Sequence, residues 1–407
     1  MEPTRAALYD ASGFLAVPPK PEFAFDAATL AEYNRLADEA RVLESNSPDA
    51  PAAMGVADGK VCPELAIHIR GDHRNLGEPV ARDFPKVMQA TDARPVLPDS
   101  QSGRLELARW MASERHPLTA RVYVNRVWRW HFGAGLVPST ENFGSQGDAP
   151  SHPELLDWLA RHFTESSWST KALHRLILAS NTYQMASLHP AESTVVGLDP
   201  ENRLLWKFRL SRLEAEQIRD AILAVSGRLD ESVGGKTVPL RNRQFVFDHT
   251  SIDHTKYDSL RRALYLPVIR NNLYTLFEQF DFPDPTMPTG NRNATVVAPQ
   301  ALLLMNSDLV MDSADVLAQL LMNQPGDDAT KVQSAYQRVL GRPATDAETE
   351  RALVFLKELT PKTPPVDAAV AAQGQRPADA ATTSATRQAW SIFCQSLFAS
   401  NEFFYVR

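Results

Sequence analysis

Residues 116–137 read HPLTARVYVNRVWRWHFGAGLV, and this stretch decides the fold. Its spacing predicts a helix from about Leu118 to Phe132, which Gly133 can end because glycine readily adopts the left-handed conformation that closes helices. Valine and tryptophan occur on nearly all sides of this helix, so we expect it in the interior. An interior helix needs other elements packed around it, and the flanking sequence predicts that these are mostly helices.

Three segments carry the pattern Ser/Thr-x-x-Glu, in which two side chains cap the first turn of a helix reciprocally. They are Ser151 with Glu154, Ser211 with Glu214, and Thr345 with Glu348. Apolar residues at helical spacing follow the first two segments, and Gly227 can end the second helix. Further helices are predicted from Asp26 to about Leu43 and near the C-terminus, where one stripe carries Trp390, Phe393, Cys394 and Leu397.

Three short segments favour β-structure and could together form a small sheet: 64–70, 237–247 and 263–269. The first alternates and predicts a half-buried strand, whereas Pro267 places the third at an edge. The predicted fold class is therefore mainly α with a small β-sheet (α+β), in a large helical domain. The predicted divisions are a lead-in with one helix (1–50), the main domain (51–360), a flexible loop (361–387) and a docking C-terminal helix (388–407).

Composition excludes several classes of protein. The chain has 407 residues, of which 43% are hydrophobic and 22% charged, which is typical of a globular protein. Its formal net charge of −7 argues against nucleic acid as a partner. No apolar run is long enough to span a membrane, and the N-terminal residues lack the pattern of a signal peptide. Cys62 and Cys394 are the two cysteines, and sequence leaves open whether they are bridged.

Several collinear segments resemble a known family. They are 116–137, 141–163 (ENFGSQGDAPSHPELLDWLARHF), 168–187, 199–230 (DPENRLLWKFRLSRLEAEQIRDAILAVSGRLD), 261–270, 299–310 (PQALLLMNSDLV), 340–348 and 401–407 (NEFFYVR). Together they are similar to the C-terminal domain of planctomycete-type, cytochrome-c-associated proteins, the domain of unknown function 1553 family. The resemblance covers roughly residues 55–407.

The resemblance implies little chemistry, since the family has no established catalytic residues to carry over. It implies a partner domain or chain of a cytochrome-associated system, and export to the periplasm or cell envelope if the chain follows the family. The chain contains no C-x-x-C-H pattern for attaching c-type haem. We therefore expect no cofactor in this chain, with haem only on an upstream domain or a partner.

The region between Trp110 and His174 holds five of the ten histidines and five of the seven tryptophans, so we expect any site there. The candidate ligand-binding cluster is Arg121, Asn125, Trp128, His131, Asp148 and His152. Three of these lie on one row of the central helix, where a guanidinium and an amide could fix ligand oxygens beside a stacking tryptophan, or could only form internal pairs. A metal is not predicted, because no spacing matches a metal-binding motif.

Other polar groups have structural interpretations that we favour. His174 with Arg175 is interpreted as a structural pair, and RLEAEQIRDA (212–221) as a helix with ion pairs among Arg212, Glu216, Arg219 and Asp220. Arg70 and Asp72, in a turn after the first strand, are secondary candidates for ligand contacts.

Two hypotheses of function follow from these residues. The first is a non-catalytic binding or assembly module, because the signatures of common catalytic motifs are missing from the sequence. The alternative is an enzyme acting on a carbohydrate or other polymer, with Asp148, His152 or Asp157 in a site within residues 116–175. Convergence of the candidate residues on one accessible pocket would favour a ligand site, and internal satisfaction would disfavour it.

Overall fold

The computed structural model describes part of the chain, namely residues 20–46, 55, 57, 59, 64–89, 97–98, 100–189, 192–235, 256–360 and 378–406. Contacts divide these residues into two compact units, one through residue 57 and one from residue 59 to residue 406. Two predictions, the strand at 237–247 and any bridge to Cys62, lie outside the described residues.

The first unit consists of two helices, α1 (Pro21–Ala24) and α2 (Ala27–Asn46). The predicted start of α2 is confirmed, because the Asp26 carboxylate accepts hydrogen bonds from the backbone amides of Ala28 and Thr29, both at 2.9 Å. Such a cap satisfies amide donors that the first turn of a helix leaves unpaired.

The second unit is helical with two small antiparallel sheets. Its helices are α3 (Arg104–Met111), α4 (Thr119–Phe132), α5 (Pro153–Glu165), α6 (Thr170–Leu178), α7 (Glu192–Val195), α8 (Ala215–Ser226), α9 (Thr275–Gln279), α10 (Ala298–Asn306), α11 (Asp308–Met322), α12 (Asp328–Leu340), α13 (Asp346–Leu359), α14 (Ala378–Phe398) and α15 (Asn401–Phe404). Its strands are β1 (Leu65–His68), paired with β2 (Leu76–Val80), and β3 (Ser211–Arg212), paired with β4 (Tyr405–Val406). The fold class predicted from sequence, mainly α with a small amount of β, is confirmed.

Two hydrophobic clusters fill this unit. The larger surrounds α11, whose Val310, Ala314, Leu317 and Leu321 are all completely buried, and α14 packs against that helix. The predicted stripe of α14 is confirmed, since Trp390, Phe393, Cys394 and Leu397 all belong to this cluster. The smaller cluster joins α4, α5 and α6. No described helix is long and apolar enough to cross a membrane.

The prediction for the central helix is half right. Helix α4 ends where expected, with Gly133 at φ 76° and its amide bonded to the Arg129 carbonyl at 2.7 Å. It is not surrounded on all sides, because Trp130 is 60% exposed and Arg126 also faces solvent. Valines and tryptophan make both faces look apolar in the sequence, but only the face with Val124, Val127 and Trp128 enters the smaller cluster.

Of the three predicted caps, only Thr345 with Glu348 is correct: the Glu348 amide donates to Thr345 Oγ1 at 3.3 Å, and the Thr345 amide to Glu348 Oε2 at 2.8 Å. Helix α5 begins one residue later than predicted, because the Ser151 hydroxyl bonds His152 Nδ1 at 2.9 Å instead of the first turn. Helix α8 begins after Glu214, since Ser211 belongs to β3.

The β predictions fare differently. Strand β1 is confirmed, but its half-burial is wrong: Leu65 and Ile67 are 70% and 55% exposed, because a two-stranded hairpin has no described layer over this face. The strand at 263–269 is wrong. Residues Ala263–Tyr265 form a 3₁₀ turn, because the Ala263 amide donates to the Asp220 carboxylate at 2.8 Å rather than to a neighbouring strand.

The predicted flexible loop is wrong for residues 378–387. They form the first part of α14, which begins ten residues earlier than the predicted C-terminal helix. The rest of that loop, 361–377, lies outside the described residues.

Candidate functional site

A cavity of about 420 Å³ opens where the two hydrophobic clusters of the second unit meet. The last turn of α4 and a residue of α6 form one wall, and β3, the start of α8 and the loop at 280–294 form the other. The ionisable side chains in its lining are Arg129, His131, His174, Tyr183, Arg212, Glu214, Asp281 and Arg292.

The end of α4 brings three consecutive residues, Arg129, Trp130 and His131, to this wall. The left-handed conformation of Gly133 ends the helix shortly after these three residues. A Cβ atom at this position would lie 3.1 Å from Arg209 Cδ, so the close approach of the next segment also favours glycine.

Two histidines from different helices form a pair in the cavity. His131 Nε2 lies 2.7 Å from His174 Nδ1, so one of these nitrogens carries the proton and the other accepts it. The edge of the His131 ring also meets Tyr183, with centroids 5.5 Å apart. Burial, and secondly the charge of His174, lower the pKa of His131 below its usual 6.5. The uncharged form of His131 is therefore favoured at neutral pH.

The side chain of Arg129 has no hydrogen-bond partner among the described residues. Its side chain is only 13% exposed, and its one ion pair, with Glu214, spans 3.8 Å. That distance is too long for a hydrogen bond. The guanidinium thus lines the cavity, and none of its N–H donors is hydrogen-bonded to a described residue.

Arg292, in contrast, is fully engaged. Its two terminal nitrogens bind the Glu216 carboxylate at 2.6 and 2.9 Å, and Glu214 lies 3.2 Å away. Burial lowers the pKa of Arg292, but the hydrogen bond to Glu216 and the charges of both glutamates outweigh burial and raise it. Glu214 therefore lies between two guanidinium groups and holds Arg292 more closely than Arg129.

Arg212 and Asp281 brace the opposite wall. Arg212 Nη2 lies 2.7 Å from Asp281 Oδ2, and Nη1 donates to the Thr295 carbonyl. Asp281 also accepts from the Thr295 amide at 2.9 Å and from its hydroxyl at 2.8 Å. Burial raises the pKa of Asp281, but these hydrogen bonds outweigh burial and lower it. The carboxylate is thus a structural anion.

A model of the family described as PSD1, protein of unknown function (DUF1553), matches residues 103–356, more than half of the chain. The chain belongs to the DUF1553 family. A search of curated proteins and a search of solved structures each found no significant match. Most of the cavity lies inside the matched region of the DUF1553 chain, including Arg129, His131, His174 and Arg292.

Of the six residues predicted to form a ligand cluster in this DUF1553 chain, His131 alone lines the cavity. Arg121 is bound on the surface, to Asp157 and to the Pro117 carbonyl, both at 2.6 Å. Asn125 is completely buried and bonds both backbone groups of Val137. Trp128 is buried and stacks on Phe132 at 4.3 Å.

The remaining candidates lie elsewhere in the DUF1553 chain. Asp148 is exposed at a second, open cavity of about 710 Å³, and His152 binds Ser151 beside the start of α5. In the β1–β2 turn Arg70 is exposed and Asp72 is half-buried, and Asp72 accepts from the Arg74 amide at 2.9 Å. The structure therefore does not bring the predicted cluster together.

The residues of the alternative, enzymatic site do not meet in the cavity either. The hydrogen bond from Arg121 lowers the pKa of Asp157, so this carboxylate is held as an anion and is a poor general acid. Within the described residues, no three His, Cys, Asp or Glu side chains come together as a metal site requires.

The sequence-based interpretation of two other groups needs correction. His174 pairs with His131 and not with Arg175, which is exposed. Ion pairing around α8 is confirmed for Arg219 with Asp220, 3.1 Å apart, but the other two residues have different partners: Arg212 binds Asp281, and Glu216 binds Arg292. Arg212 lies before the helix, in β3, so the predicted spacing of four to Glu216 along one helix does not exist.

Sequence reasoning missed Arg129, Trp130 and Arg292 as cavity residues. A signal existed for the first two, because they adjoin His131 at the end of α4. For Arg292 there is no local signal, since it arrives from a loop far along the chain.

Proposed function

We propose that this DUF1553 chain is a binding module, and that its cavity takes a small anionic ligand whose carboxylate or phosphate group binds Arg129. The observation that carries the proposal is the state of that side chain: largely buried, and without a hydrogen bond among the described residues. A guanidinium that faces a cavity without bound donors can donate them to a ligand, and an oxyanion is the group that its fork of donors matches best.

The charges around the cavity support an anion. Three arginines and two carboxylates line it, and a third carboxylate, Glu216, binds Arg292 just outside the lining, so the site is not dominated by negative charge although the whole chain carries −7. Because Asp281 and Glu216 bind Arg212 and Arg292 closely, whereas Glu214 lies 3.8 Å from Arg129, Arg129 is the arginine whose donors are open to an anion.

The rim suggests what carries the anionic group. Trp130 lines the same cavity and is 60% exposed, which is unusual for the largest aromatic side chain. A flat indole face beside a guanidinium suits a sugar ring bearing a charge. The ligand class that we propose is therefore an acidic sugar, either a uronate or a sugar phosphate.

The test is calorimetric titration of the purified chain with sulfate, galacturonate and glucose 6-phosphate, with glucose as the uncharged control. Arg129→Gln should weaken binding of each anion by about 10- to 100-fold, the usual value of one or two charge-assisted hydrogen bonds. Arg126→Gln, on the same helix but exposed to solvent, is the matched control and should bind as the unaltered chain does. The proposal would be contradicted if Arg129→Gln and Arg126→Gln bound the anions with equal affinity. It would also be contradicted if none of the three anions bound to the unaltered chain.

Two finer predictions rest on the family resemblance alone. One is assembly with a partner domain or chain of a cytochrome-associated system, and the other is export. Mixing the chain with a purified cytochrome c domain, followed by sedimentation analysis, tests the first. The alternative of an enzyme that acts on a carbohydrate polymer stays a prediction, and release of reducing sugar ends from polysaccharides tests it.

A further inference from the structure

We infer that the anion enters this cavity together with a proton, and that the His131–His174 pair takes up that proton. The inference rests on the proposed function, since it concerns the regulation of the same site. Its basis is the 2.7 Å separation of His131 Nε2 and His174 Nδ1 at the cavity wall.

The geometry limits the pair to one additional proton. In the neutral pair a single hydrogen lies between the two rings, because the short distance leaves room for only one. The outer nitrogens, His131 Nδ1 and His174 Nε2, have no partner among the described residues. One of them can accept a proton, and the resulting charge is then shared by two rings. A second proton is opposed by the charge of the first.

Burial opposes protonation of His131 before an anion binds. The charged or titratable groups that line the cavity around the pair are Arg129 on its own helix, Tyr183 after α6, Arg212 and Glu214 at β3 and α8, and Asp281 and Arg292 on the facing loop. Together with Glu216, which binds Arg292 just outside the lining, these groups carry no net formal charge. Burial therefore opposes protonation of His131, while the carboxyl end of α4 and the carboxylates of Glu214 and Asp281 favour it.

A bound anion reverses this balance. Its negative charge next to Arg129 makes the local field favourable for an imidazolium, so the pair's affinity for a proton rises on binding. Linkage then requires that lowering the pH strengthens anion binding by the same coupling. Affinity should fall by up to about tenfold per pH unit as pH rises through the range in which the pair titrates. A neutral sugar should show no such dependence.

Sulfate is the appropriate probe, since it stays fully ionised in this pH range and any proton taken up belongs to the protein. We would titrate the chain with sulfate near pH 6.5 in two buffers with different ionisation enthalpies. The difference in observed heat gives the number of protons taken up per sulfate bound. We expect net uptake, not exceeding one proton, in the unaltered chain.

The variant His131→Gln/His174→Gln should retain sulfate binding through Arg129, with lower affinity and with loss of the proton uptake. His162→Gln is the matched control: this histidine stacks on Trp158 outside the cavity, so its variant should keep the full uptake. The two-buffer measurement on the unaltered chain needs no variant and therefore stays decisive if the double variant does not fold.

Two failures are distinguishable. Sulfate binding with no proton uptake overturns this inference and leaves the proposed function intact. Binding that is equal in Arg129→Gln and the unaltered chain overturns the proposed function, and with it the coupling that depends on that function.

Discussion

The side chain of Asn125 makes the two hydrogen bonds to the Val137 backbone that a neighbouring strand would otherwise make. Its Nδ2 donates to the Val137 carbonyl at 2.9 Å, and its Oδ1 accepts from the Val137 amide at 2.8 Å. The approach is so close that a Cβ on Gly135 would lie 2.7 Å from Asn125 Nδ2 and 2.5 Å from the Val137 carbonyl oxygen. The segment that leaves α4 is fixed by this one amide.

Replacing Asn125 with leucine should therefore destabilise the chain strongly. Two backbone groups of Val137 would be left without partners in the interior, at a cost of about 2–5 kcal/mol in the free energy of unfolding. Urea denaturation measures the change. Asn181→Leu, at an exposed position of the same unit, should change stability by well under half of that amount, and similar losses in both variants would contradict the structural role.

Trp130→Ala should separate the two parts of the proposed ligand. Loss of the indole removes the stacking surface but leaves Arg129, so affinity for galacturonate should fall by about 5- to 20-fold while affinity for sulfate changes little. Calorimetric titration with both ligands checks this. Trp158→Ala, at another exposed tryptophan, should alter neither affinity. A parallel loss of sulfate and galacturonate binding in Trp130→Ala would indicate a damaged wall instead of a lost ring contact.

We expect that Arg342 forms an acid-sensitive connection near the C-terminus. It bonds Glu348 at 2.8 and 2.9 Å and Glu402 through two bonds of 2.7 Å, and so ties α13 to α15. The Arg342 hydrogen bond, with help from the Thr345 amide, lowers the pKa of Glu348 from 4.5 to about 2. A carboxylate whose pKa is lower in the folded state stabilises that state above its unfolded pKa, and the contribution is lost as pH falls.

The free energy of unfolding should accordingly fall as the pH is lowered from 4.5 to about 2. In Arg342→Gln that pH dependence should be shallower, because the pKa of Glu348 then differs less between the folded and the unfolded state. Denaturation in a pH series measures the slope, and Arg351→Gln, at an exposed position on α13, is the control. Identical slopes in Arg342→Gln and the unaltered chain would rule out the connection.

Cys394 should be inert in the folded protein. It is completely buried in the larger cluster, and burial raises the pKa of its thiol far above the ordinary range. Since the thiolate is the reactive form, iodoacetamide should label this residue only after denaturation. Peptide mapping by mass spectrometry reads the result, and prompt labelling of Cys394 in the native chain would show that the α14 packing opens readily.

Local signals in the sequence predict local structure well here. Gly133 and Gly227 end their helices as expected, because a left-handed residue at a helix end depends only on neighbours in the chain. The Thr345 cap forms for the same reason. Ser151 and Ser211 carry the same pattern and fail, because other partners compete: the adjacent His152 and the Leu136 carbonyl for Ser151, and pairing with β4 for Ser211.

The cavity shows the limit of this reasoning. His131 is predicted as a site residue from its position near the end of α4, yet its partner His174 is assigned to a structural pair. The spacing of helical residues does not reveal which faces of two helices meet. Arg121 and Asn125 share a helical row in the sequence. In the structure Arg121 lies at the surface and Asn125 in the core, and no pattern within α4 predicts this difference.

The short pairing of β3 with β4 has a consequence for the order of folding. Ser211 and Arg212 precede α8, whereas Tyr405 and Val406 lie far along the chain, and Arg212 and Val406 both line the cavity. During synthesis, helices such as α4 and α6 can form while the ribosome is still at work, but this wall must wait until the residues through Val406 have emerged. The pocket is thus among the last parts to close, and a chain that ends before β4 would carry its histidines and arginines in an open cleft.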